Sequence, residues 1–197
     1  MRTRAVLKVT LVLLALAMLL SACSDRQDTS GAAKPAPETQ TGRAELDLIV
    51  TAALGGDSHD LQQFLGYTRT GCTFAEGLGG PPRCLAGEQE GAPVEVLPFL
   101  GPEGHFIRRA DIDCWDGLDA SALFALYTVS ESAYSDENYP AGEYALGFLG
   151  RPEVPKPVTL QVRQGCIVRI DYGFADPPEI RPEDVIRYLV PPGTAGP

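Results

Sequence analysis

Four carboxylates fall within nine residues in Asp111-Ile112-Asp113-Cys114-Trp115-Asp116-Gly117-Leu118-Asp119. Carboxylates beside a glycine turn suit a hard dication such as calcium, which takes oxygen ligands. The usual calcium-loop order is Asp-x-Asp-x-Asp-Gly with a closing Glu. Here Asp116 arrives one residue late and the Glu is missing. Asp111, Asp113, Asp116 and Asp119 are thus candidate metal ligands in an imperfect pattern. The competing reading is a solvated acidic turn after a strand. The only histidines are His59 and His105. His59 falls on the polar side of a short helix, and His105 follows Gly104 just before a strand. A dispersed pair of His105 with Asp111 or Asp113 would serve acid–base chemistry if the fold brought them together. No Gly-x-Ser-x-Gly elbow and no His-Glu-x-x-His occurs, so the chain names no catalytic residue. Gly77, Gly79 and Gly80 are followed by Pro81-Pro82 rather than Gly-Lys-Ser/Thr, which makes them a turn and not a phosphate loop.

Aromatic side chains offer a second chemistry. Tyr134 and Tyr139 flank Ser135-Asp136-Glu137-Asn138, a candidate hairpin loop, and Trp115 lies in the acidic stretch. Exposed aromatics on polar loops bind sugars or protein partners. The alternative is simple packing. The five cysteines divide by position. Cys72, Cys84, Cys114 and Cys166 lack the short Cys-x-x-Cys knuckle of a zinc site and allow three disulfide pairings. Cys72–Cys84 would staple one Gly/Pro-rich loop, which leaves Cys114–Cys166 as a long-range link.

Cys23 carries the address. Arg2, Arg4 and Lys8 precede an apolar run from Val9 to Leu20, which ends in Leu20-Ser21-Ala22-Cys23. A cationic segment, a short apolar run and a small-residue cleavage site make a secretory signal peptide. A run of twelve residues is too short to span a bilayer, which needs about 20. The Leu-Ser-Ala-Cys ending resembles the lipobox of bacterial lipoproteins. That resemblance implies cleavage before Cys23 and attachment of palmitate-type lipid to its thiol. The domain would then be held on a bacterial membrane, facing the extracytoplasmic side, where disulfides persist. The stretch from Cys72 to Cys84 also resembles a segment of uncharacterised bacterial lipoproteins, which implies no activity.

Removal of residues 1–22 takes away three cations and no acid, so the net charge falls from −10 to −13. Such a surface repels nucleic acid and leaves an envelope protein or a small ligand as the expected partner. Residues 23–43 read as a lipid-anchored flexible tether. Residues 44–190 read as one domain, and 191–197 as a disordered tail.

The domain's elements read as α+β: an N-terminal helical hairpin on a curved antiparallel sheet of five or six strands, then a short C-terminal helix. Leu46, Ile49, Val50, Ala53 and Leu54 share one helix face, and Gly55-Gly56 ends that helix. Asp57 reads as the N-cap of a second helix with Leu61, Phe64 and Leu65. The β-like runs are 94–99, 105–112, 122–130, 143–149, 158–162 and 166–172. In the last hairpin, a three-residue loop 163–165 pairing Val162 with Cys166 keeps one face apolar. Pro182 to Val190 reads as a helix with acids in its first turn. This order resembles NTF2-like or cystatin-like cones. That likeness implies a pocket at the sheet's mouth and, as an alternative to binding, an isomerase or hydrolase.

Overall fold

The computed structural model describes residues 40–75, 77, 79–129, 134–150 and 156–173, with the backbone of 185–188. The signal segment, Cys23, most of the tether and the 191–197 tail lie outside the described residues. The chain is mixed α/β, with few helices and one open sheet.

Helix α1, Ala44–Gly55, buries Leu46, Ile49, Val50 and Ala53, the stripe that the spacing predicts. Gly56 ends it with a left-handed φ of 75°, where a side chain would meet strain. Helix α2, Ser58–Gln62, is capped by Asp57, whose carboxylate accepts the His59 N–H at 2.9 Å. The eight strands are β1 Thr68–Gly71, β2 Pro93–Leu100, β3 His105–Arg108, β4 Ala120–Thr128, β5 Tyr144–Gly150, β6 Val158–Arg163, β7 Cys166–Tyr172 and β8 Val185–Tyr188.

Their order is β1-β2-β7-β6-β5-β4-β8, with β3 also on β2. Val96 pairs with both Thr68 and Arg108, and Phe99 with both His105 and Ile170. A strand residue has one neighbour on each edge. So β3 takes one edge of β2, while β1 and β7 share the other. The β2–β7 pairing is parallel and the other strand pairings are antiparallel.

Five expectations are corrected, the first being the antiparallel sheet, which is mixed because β2 and β7 run parallel. Among the described residues the sheet has eight strands rather than five or six, because Thr68–Gly71 and Val185–Tyr188 join it. The expected C-terminal helix is absent at 185–188, where the chain pairs with β4 instead. A nine-residue helix is marginal without packing, whereas β-branched Val185 and Ile186 suit a strand on an otherwise open edge. The strand expected over 105–112 stops at Arg108, and Arg109–Cys114 forms a 3₁₀ turn that buries Ile112 alone. Finally, Gln164 and Gly165 form a two-residue turn, with φ of 52° and 74°. Arg163 pairs with Cys166, and Val162 with Ile167. The phase error that this register creates is absorbed by a bulge at Val168, so Leu160 still faces Ile170.

The core joins Leu46, Ile49, Val50 and Leu61 of the helices to Leu97, Phe99, Leu146, Phe148, Leu160 and Ile170 of the sheet. The opposite face of β6 and β7 is polar yet buried at Thr159, Gln161 and Arg169. It is covered by the segment 134–142. Arg169 donates to the carbonyl oxygens of Tyr134 and Tyr139, and Gln161 accepts the Gly142 N–H.

Candidate functional site: a cleft between the stapled loop and strand β3

Cys72 and Cys84 are disulfide-bonded, as the loop reading expects. Inside the staple, the Thr73 N–H donates to the Pro82 carbonyl, and the Cys84 N–H to the Thr73 carbonyl, each at 2.9 Å. Pro81 and Pro82 have no N–H to offer, so the loop cannot continue as a ladder. Between it and β3 lies a cleft of about 550 Å³, a size that suits a small ligand. Residues 79–83 and Leu85 form one wall, residues 104–108 the floor, and Asp111, Cys114 and Trp115 the far side.

Both ends of the cleft are pinned. At one end Gly79 lies against Gly104, where an added Cβ would come 3.5 Å from the Gly104 nitrogen. At the other, Arg108 of β3 forks onto Glu88 at 2.7 and 2.8 Å and donates to the Arg83 carbonyl. The hydrogen bond from Arg108 holds the Glu88 carboxyl down at about 2, helped by the Leu85 N–H, and Glu88 in turn raises Arg108. A folded-state value below the ordinary 4.5 means that the stabilisation is full above that pH and is lost as pH falls through about 2. The stability gap between the native chain and Glu88→Gln is therefore expected to close over that window in an acid titration. A gap that persisted below it would show that the carboxylate's charge is not what pins the wall.

The floor is aromatic. His105 stacks on Phe99 at 4.7 Å and 13°. Burial of that ring lowers its pKa and so favours the neutral imidazole. Trp115 meets Phe99 edge-on at 5.9 Å, and Tyr172 stacks behind at 6.0 Å. Burial raises Tyr172, offset in part by its hydrogen bond with Trp115.

The candidate residues of the sequence separate sharply here. Asp111, Asp113, Asp116 and Asp119 are all exposed and, among the described residues, do not gather into a donor set. The grouping found is Cys72, Cys84 and Glu88, whose two sulfurs are tied in the disulfide and cannot ligate as thiolates. His105 and Asp111 line the same cleft, but among the described residues no carboxylate hydrogen-bonds His105. His59 is exposed on α2. The expected Cys114–Cys166 link is not formed. Cys114 is a free, exposed thiol at the end of the 3₁₀ turn, whereas Cys166 is buried beside Gly66 and is engaged elsewhere. Tyr134 is 56 % exposed, but Tyr139 and Trp115 are buried at 4 % and 8 %. Sequence reasoning passed over Arg108 and Arg169. Their signal was an arginine set inside a β-like run, where a cation needs a partner.

Among the described residues no helix is long and apolar enough to cross a membrane. No protein-family model, curated protein or solved structure matches the chain.

Proposed function

We propose that this chain is a lipid-anchored extracytoplasmic domain that binds a compact, largely apolar ligand without transforming it. A curved sheet backed by the N-terminal helical hairpin is the scaffold, and Cys23 carries the lipid. The cleft carries the reading: it is open, of ligand size and pinned at both ends, with Phe106 and Ile107 on its floor and Trp115 on its far side. The Cys72–Cys84 disulfide suits an oxidising compartment. A His105 ring committed to stacking, with no carboxylate partner among the described residues, favours binding over acid–base catalysis.

The test is mass spectrometry of the full chain extracted from membranes. The denatured chain is expected to carry a lipid mass that Cys23→Ser abolishes, together with the chain's place in the membrane fraction. The native spectrum is expected to hold a further mass that Leu85→Glu expels. Leu85 is 55 % exposed, so that variant should fold. A bare native chain, or a mass indifferent to Leu85→Glu, overturns the binding reading.

A further inference from the structure

We infer that Tyr139 is a positioning residue for the cleft: its hydroxyl fixes the Gly79 wall against β3, and Arg169 fixes Tyr139. This deepens the binding reading and rests on it for its biological meaning. The geometry stands by itself. The Tyr139 hydroxyl donates to the Gly79 carbonyl at 3.1 Å. Its ring packs on Phe106 at 4.9 Å. A Cβ built on Gly104 would fall 2.3 Å from that hydroxyl, so the tyrosine occupies the space that any larger residue at 104 would need. Gly79, Gly104 and Phe106 all line the cleft. Tyr139 itself is buried behind them and does not face a ligand.

The backbone of Tyr139 is held from both sides. Its N–H donates to Asp136 at 2.7 Å, and its carbonyl accepts from Arg169 at 3.0 Å. The same arginine nitrogen reaches the Tyr134 carbonyl at 2.9 Å. Next to Tyr139, the Asn138 side chain accepts the Thr70 hydroxyl on β1. Contacts thus run from the polar face of β7 through Arg169 and Tyr139 to the cleft wall.

Cys114, free and exposed in the cleft, reports the cleft's width without any knowledge of the ligand. In the full chain its alkylation is timed with iodoacetamide, which is small, and with fluorescein maleimide, which is bulky. Loss of one neutral hydrogen bond shifts an opening equilibrium about fivefold. Tyr139→Phe is expected to raise the bulky-to-small rate ratio about fivefold while the melting midpoint falls by only about 3 °C. Gly104→Ala, which displaces the hydroxyl by contact, should raise the ratio as well, at a larger cost in melting midpoint. Arg169→Lys keeps the charge but loses the fork and should raise the ratio too. An unchanged ratio in Tyr139→Phe overturns the role of the hydroxyl. A rise there without one in Arg169→Lys overturns the link to Arg169. A missing native ligand mass counts against the binding reading alone, since none of these ratios depends on a ligand.

Discussion

Replacement of Arg169 by methionine is expected to destabilise the chain by about 3 kcal/mol, the lower end of what stranding one member of a buried ion pair costs. The guanidinium is 3 % exposed and its Asp171 partner 22 %, which sets the expectation at that end. Arg169 donates to both Asp171 oxygens, at 2.6 and 3.0 Å, and to two loop carbonyls. Methionine keeps much of the stem's packing but removes the donor to the Tyr134 carbonyl, leaves the Tyr139 carbonyl only the Asp136 N–H at 3.3 Å, and strands a carboxylate. Asp171 would retain only the Gln161 amide at 2.8 Å. Removal of both charges in Arg169→Met with Asp171→Leu should cost less than Arg169→Met alone, since no charge is left stranded. Urea unfolding at constant m reads both variants. A loss under about 1 kcal/mol for the single variant, the worth of an exposed pair, would show that water reaches the guanidinium.

That cluster also marks where the sequence stops being legible. The α1 stripe, the Gly56 stop and the Asp57 cap follow from residues within a few positions of one another, and such local rules can be read directly. The Cys72–Cys84 staple was legible for the same reason. The Val168 bulge was not, because alternation in β7 shows which residues share a face only if the strand is unbroken. The C-terminal segment carried acids and a proline in helical positions. The edge of β4 that recruits Val185–Tyr188 is contributed by residues some sixty positions earlier, and no local pattern shows it. Tyr139 is buried. Loop position suggests a contact surface, whereas Arg169 and Gly79, each distant in sequence, hold it inward. Cys114 was assigned to a bond by counting thiols, and counting cannot show which cysteines the fold leaves apart.

The cleft wall should prove even more dependent on the Cys72–Cys84 bond than the fold is. The cysteines are 12 residues apart, and closing a loop of that size stabilises by about 3 kcal/mol in the chain-entropy model. Cys72→Ala with Cys84→Ala is therefore expected to lower unfolding stability by about that amount. The core joining α1 to the sheet contains neither cysteine, so the domain should still fold. The wall has less in reserve. Across the base of the loop run two backbone hydrogen bonds, and the Glu90 carboxylate accepts from Thr73 and Phe74 at 2.6 Å. The Arg108–Glu88 fork anchors the chain after Cys84, and within the loop Arg108 holds only the Arg83 carbonyl. Bulky alkylation of Cys114 should accordingly rise further in the double-alanine chain than in Tyr139→Phe, because the staple restrains the whole of 72–84 and the hydroxyl only Gly79. A stability loss under about 1 kcal/mol with an unchanged Cys114 ratio would place the restraint in the Arg108–Glu88 fork instead. Arg108→Met would then have to open the cleft by itself.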